Sequence, residues 1–476
     1  LSTRRFDRAF FFLLDGARTD IFNQLLQAGD LPNTARWIVE RGSMGEATSV
    51  FPTVTGVAYV PFVTGRFPGP ANLPGIRWFD PERYGSKLLS ASRFRDYCGF
   101  GSYLMDRDLS RETPTLFELL PPASNIFSGI SRGTGIRRNA AYFIRIPYVY
   151  YWTKTANWDP IDRRGRAYLK AAIRRRAERF TFHTTLSVDE YSHKWGPFAP
   201  RVLDAYRAFD GVIGDCVREL RETGQLESSL LLLSADHGHS EVTRHLDLEG
   251  FFEQRKLRTL YFPWGARRFF DCDVACMVGG NGMAHVYLRG PQGWKQRPPT
   301  EALLEQHPTL VDDLLARDEV HLCAQRNSDG EIAIRTPRGE ARVRAANGHV
   351  EYRVERGDDP FGYPALPARM TRDELLERTN ATEYPDAPLQ LAQLFDSARC
   401  GDLVLSAQPG CDLRERFERW EHKSCHGTLR REHIQVPFAA SAKLRAGPWR
   451  TADVFATVLS GLNAHVPEND GRDLLS

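Results

Sequence analysis

Three short apolar runs, each delivering an aspartate, constrain this chain more than any other feature. Ala9 to Leu14 reads AFFFLL and stops at Asp15, the run around Phe180 to Val188 delivers Asp189, and Leu230 to Leu233 delivers Asp236. A continuous apolar run bounded by turn residues is the pattern of a strand buried on both faces, as in a parallel sheet covered by helices. Between the second and third runs Val202, Leu203, Tyr206, Phe209, Ile213, Cys216, Val217 and Leu220 recur at helical spacing, with Gly224 as a stop. Strand, helix, strand implies a crossover and parallel neighbours. The expected fold class is α/β, with a mainly parallel sheet flanked by helices. Ligands bind beyond the carboxyl ends of such strands, so the three aspartates are expected to share one site.

At roughly 150 residues per domain, 476 residues allow about three units or one large core with an insertion. From about Phe252 to about Gln390 the texture changes to hairpin-like pieces such as VACMVGGNGMAHVYLRG, with Gly-rich turns between alternating residues. The expectation is an inserted mixed α/β cap over 252–390. The core pattern returns at GDLVLSAQPG and ends in the helical TADVFATVLSGLNA, so 1–251 and 391–476 are expected to form the catalytic core.

Several classes are disfavoured. A formal charge of +3 falls short of what phosphate-backbone binding demands, so no obligatory nucleic-acid partner is expected. All but eight of the 63 basic residues are Arg, which fits a GC-rich coding sequence better than anion recognition. No apolar run approaches the ~18 residues of a transmembrane helix. The chain starts at Leu1 rather than Met, consistent with a removed leader or tag; a cytoplasmic location is favoured over a periplasmic or secreted one, and the oligomeric state stays open. Eight Cys without a CxxC pair exclude a cysteine zinc ribbon.

The chemistry-bearing residues are Asp15, Asp189 with His193 in D-x-x-x-H, the adjacent Asp236 and His237, and His426 in SCHGT. Taken singly, a buried His is usually a hydrogen-bonded core residue, and an Asp after a strand is usually a helix cap. Together, three carboxylates and three imidazoles suffice for two cations if a hydroxyl joins them. Thr53 and Thr55 of FPTVTG supply hydroxyls before an apolar stretch expected to begin a helix, whose N-terminus suits a phosphate. A Thr hydroxyl is a weak nucleophile, and coordination to a cation is one way to deprotonate it.

These segments resemble, in order and type, the type I phosphodiesterase and nucleotide pyrophosphatase branch of the alkaline phosphatase superfamily. The family's DG-x-R block corresponds to Asp15 through Arg18, and its PT-x-T block with a downstream VTG to Pro52 through Gly65, a register that makes Thr55 the nucleophile. Its PD-x-x-GH block corresponds to VDEYSHKWGP, its DHG block to Asp236 through Gly238, and its late HG to His426 and Gly427. The resemblance implies an alkaline-phosphatase-like core and two Zn²⁺ ions, with Mn²⁺ an alternative. One ion would be held by Asp15, Asp236, His237 and Thr55, the other by Asp189, His193 and His426. It also implies a phospho-threonine intermediate and a small-molecule phosphodiester or pyrophosphate-linked substrate. Ala58 and Tyr59 replace the Asn-His pair common in the family, so an oxyanion donor is expected from Gly56, Tyr59 or Arg132. DHGH replaces the frequent DHGM, with His239 expected to support the site rather than bind as a seventh ligand. The rivals are a phosphomonoesterase on the same site and a non-catalytic binding protein that kept the fold. A sulfatase is disfavoured by the lack of a C-x-P-x-R segment.

Overall fold

A computed structural model describes residues 6–82, 94–261, 272–413 and 421–475. The three apolar runs form neighbouring strands at the centre of a seven-stranded sheet. Arg8–Leu14 lies between Phe180–Thr185 and Ser229–Ser234 and is parallel to both. Residues Phe10 to Leu14 are no more than 2% exposed, and each such side chain contributes about 2 kcal/mol through removal of apolar area from water. The crossover helix, Pro200–Glu222, buries Val202, Tyr206, Phe209, Ile213, Cys216, Val217 and Leu220 of the expected face, with Leu203 only partly buried. It joins two parallel strands that are not adjacent, because the first strand of the chain occupies the place between them. Ala123–Ile126 continues the parallel set on one edge. On the other side Gln435–Ala440 runs antiparallel to Ser229–Ser234, followed by Ser43–Thr48 and Trp449–Arg450.

Two local expectations change. The run around Phe180 to Val188 splits: the strand ends at Thr185 and a helix, Ser187–Trp195, begins, so Asp189 sits in a first helical turn. Asp162 accepts the Leu186 amide at 3.1 Å where the strand gives way to the helix. Thr55 lies on a turn, and the short helix Val60–Thr64 starts five residues later, so the hydroxyl is not at a helix N-terminus.

The expected hairpins form a second, nine-stranded sheet, largely antiparallel. Val274–Gly279 pairs with Met283–Leu288, and Ile332–Arg335, Gly339–Ala346 and His349–Gly357 form a meander. GDLVLSAQPG does not return to the first sheet. Leu403–Ala407 pairs between Met283–Leu288 and Val320–Arg326, so the second sheet draws on residues beyond 390. An apolar run announces burial but not which sheet receives it. No described helix is long and apolar enough to cross a membrane.

Candidate metal centre and nucleophile

Four connections at one edge of the first sheet converge. Asp15 follows Arg8–Leu14 directly and is succeeded by Gly16 at φ +73, where a Cβ would stand 2.8 Å from the Asp189 backbone; only glycine fits. Asp236 and His237 follow Ser229–Ser234. Asp189 and His193 stand one turn apart on the helix Ser187–Trp195, hence on one face. His426 follows Ser424–Cys425, a short strand paired with Ser240–Glu241.

The Thr55 hydroxyl lies 3.2 Å from Asp15 Oδ1 and 3.0 Å from His237 Nε2. Around it, donor atoms of Asp15, Asp189 and His237 all lie within 4.8 Å of one another, and so do those of Asp189, His193, His239 and His426. Asp236 reaches the first group with Oδ2 3.3 Å from His237 Nε2, while its Oδ1 accepts the Gly16 amide at 3.1 Å. The structure thus brings together Asp15, Thr55, Asp189, His193, Asp236, His237 and His426.

The donor chemistry fits divalent cations. In His193, His237 and His426 the Nδ1 atom faces a backbone carbonyl, of Ser424 at 3.1 Å, Gly238 at 3.1 Å and Thr53 at 2.8 Å respectively. A carbonyl only accepts, so each Nδ1 carries the proton and each Nε2 presents a lone pair inward. Asp236 Oδ2 is buried and has no hydrogen-bond partner among the described residues. It faces the His237 lone pair, acceptor to acceptor, and a cation satisfies both. Oxygen and imidazole nitrogen without thiolate suit Zn²⁺ or Mn²⁺.

The electrostatics agree. Burial, then the charges of Asp236 and Asp189, push the Asp15 carboxyl well above the usual range. Burial and the Asp189 charge raise Asp236 to about 8. Burial also acts to raise Asp189, but the imidazoles of His193, His239 and His426 outweigh it and hold this carboxyl well below normal. Burial lowers His237 to about 3, keeping its imidazole neutral. Three carboxylates crowded out of water call for compensating positive charge.

The expected oxyanion donors fare differently. The Tyr59 amide donates to the Gly56 carbonyl at 3.3 Å and its hydroxyl to Asp15 Oδ2 at 2.5 Å. Arg132 donates to Glu118 at 3.1 Å and to the carbonyls of Leu109, Ser110 and Thr113, so its guanidinium is engaged away from Thr55. Among the described residues no group accepts the Gly56 amide, which follows Thr55 directly.

Sequence reasoning missed the support of His426. Its amide donates to Gly280 at 3.0 Å and its carbonyl accepts from Gly282 at 2.8 Å, so the turn between Val274–Gly279 and Met283–Leu288 cradles it. A Cβ on Gly280, at φ +57, would stand 2.6 Å from His426 Nδ1. Thr53 adds its hydroxyl, which accepts the Gly427 amide at 3.0 Å. The GGNG tetrapeptide was the available signal, and it read as a plain hairpin turn.

The fold is of the alkaline-phosphatase-like α/β class, and the chain's family is one of phosphoric ester hydrolases. More closely, residues 9–428 match the model of the type I phosphodiesterase / nucleotide pyrophosphatase family, and the chain belongs to that family. No curated protein matches it by sequence. Among solved structures it resembles phosphonoacetate hydrolase from Sinorhizobium meliloti, at 16% identity over 96% of each chain with a TM-score of 0.56. It also resembles murine ectonucleotide pyrophosphatase / phosphodiesterase 5, at 14% identity over 98% of this chain and 100% of that one, TM-score 0.56. An inactive threonine-to-alanine variant of the murine protein in complex with AMP matches at 13% identity over 99% and 100%, TM-score 0.57. At these identities the likeness is one of fold.

Proposed function

We propose that this protein hydrolyses small phosphodiesters or pyrophosphate-linked compounds, such as nucleotide derivatives, with Thr55 as nucleophile and two divalent cations, zinc by ligand type. Asp15, Thr55, Asp236 and His237 would hold one cation, and Asp189, His193 and His426 the other. The observation that carries this reading is the Thr55 hydroxyl at 3.2 Å from Asp15 Oδ1 and 3.0 Å from His237 Nε2, which sets its oxygen beside two donor atoms of one group that would hold a cation. Cations held there would neutralise charge on the phosphoryl oxygens and lower the pKa of a coordinated hydroxyl. The Thr55 oxygen attacks phosphorus in line, the bond from phosphorus to the leaving oxygen breaks, and a phospho-threonine forms. Water then cleaves it, restoring the Thr55 hydroxyl and releasing, from a diester, a phosphate monoester. The Gly56 amide donates to a phosphoryl oxygen in place of the family's asparagine. The second sheet, which cradles His426, forms the substrate-recognising side. Membership of the family and the AMP complex of the murine fold relative support a nucleotide-like substrate.

The test pairs metal content with turnover of bis-p-nitrophenyl phosphate and p-nitrophenyl phosphate under identical conditions. Two bound cations, faster diester turnover, and an inactive Thr55→Ala variant that keeps both cations are expected. Near-normal activity in Thr55→Ala would remove Thr55 from the mechanism. Preferred monoester turnover would make the protein a phosphatase, and bound cations with neither activity a binding protein on this fold.

A further inference from the structure

His239 differs from the other imidazoles of the cluster in where its nitrogens point. Its Nδ1 faces the Ser424 hydroxyl at 3.0 Å, and its Nε2 faces Asp189 Oδ1 at 2.8 Å. The Nε2 atoms of His193 and His426 stand further from the same oxygen, at 3.6 Å and 3.7 Å. A cation lying between a carboxylate oxygen and an imidazole nitrogen, each about 2.0–2.1 Å from it, fits those wider separations. A separation of 2.8 Å is that of a direct hydrogen bond. Ser424 uses a second group in the same cluster, since its carbonyl accepts from His193 Nδ1 at 3.1 Å. The pairing of Ser424–Cys425 with Ser240–Glu241, the strand that follows His239, brings the two residues together. His239 is fully buried, so its ring is held by these bonds and by packing.

We propose that Ser424 and His239 form a clamp that positions both Asp189 and His193 for one cation, with His239 acting through Asp189 rather than as a ligand. The Ser424 hydroxyl donates to His239 Nδ1, which places the proton on Nε2, and this N–H donates to Asp189 Oδ1. The same residue's carbonyl fixes the His193 tautomer. One serine thereby sets the orientation of a carboxylate, through His239, and of an imidazole directly. This rests on the reading that Asp189, His193 and His426 hold a cation.

The experiment is a calorimetric zinc titration of the metal-free full chain and of His239→Leu, His239→Gln and Ser424→Ala, with X-ray absorption counting nitrogen ligands on the loaded proteins. Wild type is expected to bind two ions. In His239→Leu one of them weakens about 10- to 100-fold while the other is unchanged, the usual cost of losing a group that orients a ligand. His239→Gln, whose amide N–H still reaches a carboxylate, recovers most of the affinity with an unchanged nitrogen count, and Ser424→Ala shows a smaller loss at the same ion. Unchanged affinity for both ions in His239→Leu overturns the clamp, and so does a lower nitrogen count in His239→Gln, which would make His239 a ligand. If His239→Leu fails to fold, unchanged binding in Ser424→Ala overturns it instead. A wild-type protein that binds no divalent cation overturns the two-metal reading and the clamp with it.

Discussion

Tyr59 stands where the family commonly has the histidine of an Asn-His pair, and its hydroxyl donates to Asp15 Oδ2 at 2.5 Å. Burial, then the neighbouring Asp15 charge, pushes the phenol well above its ordinary pKa, so it remains a donor across the working range. Tyr59→Phe leaves the Asp15 carboxylate with one restraint fewer, and zinc held at Asp15 is expected to weaken by about tenfold or more in a calorimetric titration, with the Asp189 ion unaffected. The neighbouring threonines show the same division of labour. Thr55 offers its hydroxyl to the cluster, whereas Thr53 turns its hydroxyl and carbonyl to Gly427 and His426. Residue type nominated both threonines, the family register selected Thr55, and the hydrogen bonds explain what Thr53 does instead.

The helix Ser187–Trp195 carries Asp189 and His193, two of the proposed ligands, and its start is tied by Asp162 on the helix Asp159–Arg175. Burial raises the Asp162 carboxyl to about 6, partly offset by bonds from Ser187 and the Leu186 amide. A carboxyl raised in the fold binds its proton more tightly there than in the unfolded chain. Its contribution is present at low pH and is lost as pH rises through about 6. Asp162→Asn mimics the protonated form, so thermal unfolding is expected to show no gain near pH 4. The gain should grow to about 3 kcal/mol above pH 7, where the ionised wild-type side chain carries its full penalty. A pH-independent difference would show that Asp162 does not titrate in this way. The same element explains the difference from one unbroken strand over Phe180 to Val188: the apolar pattern runs on past Thr185, but Leu186 is only partly buried and its amide is taken by Asp162.

Across the whole molecule, three buried carboxylates face one another over the edge of the first sheet. Chelation leaves their repulsion uncompensated. The metal-free protein is expected to melt at a lower temperature in differential scanning calorimetry, with zinc at 100 times its dissociation constant restoring about 2.7 kcal/mol per site. A melting temperature indifferent to chelator and zinc would count against cations as part of the native core. The second sheet enters this balance as well, because its Gly279–Met283 turn holds His426 by two backbone hydrogen bonds.

Read alone, the amino-acid sequence determined what depends on local pattern. Apolar runs that deliver acids specify buried strands pointing toward one site, and helical spacing specifies the Pro200–Glu222 crossover. Ligand type and motif order then specify a metal-dependent hydrolase of the family the chain belongs to. Tertiary structure decided what depends on distant partners. It placed Arg8–Leu14 between the two later parallel strands, drew Leu403–Ala407 into the second sheet, and turned Arg132 onto the carbonyls of Leu109, Ser110 and Thr113. It also set the imidazole tautomers, because the carbonyls that accept from His193 and His426 come from segments more than 200 residues away in sequence. Strand pairing and hydrogen-bond direction are satisfied only when remote backbone arrives, and no local window of sequence contains that information.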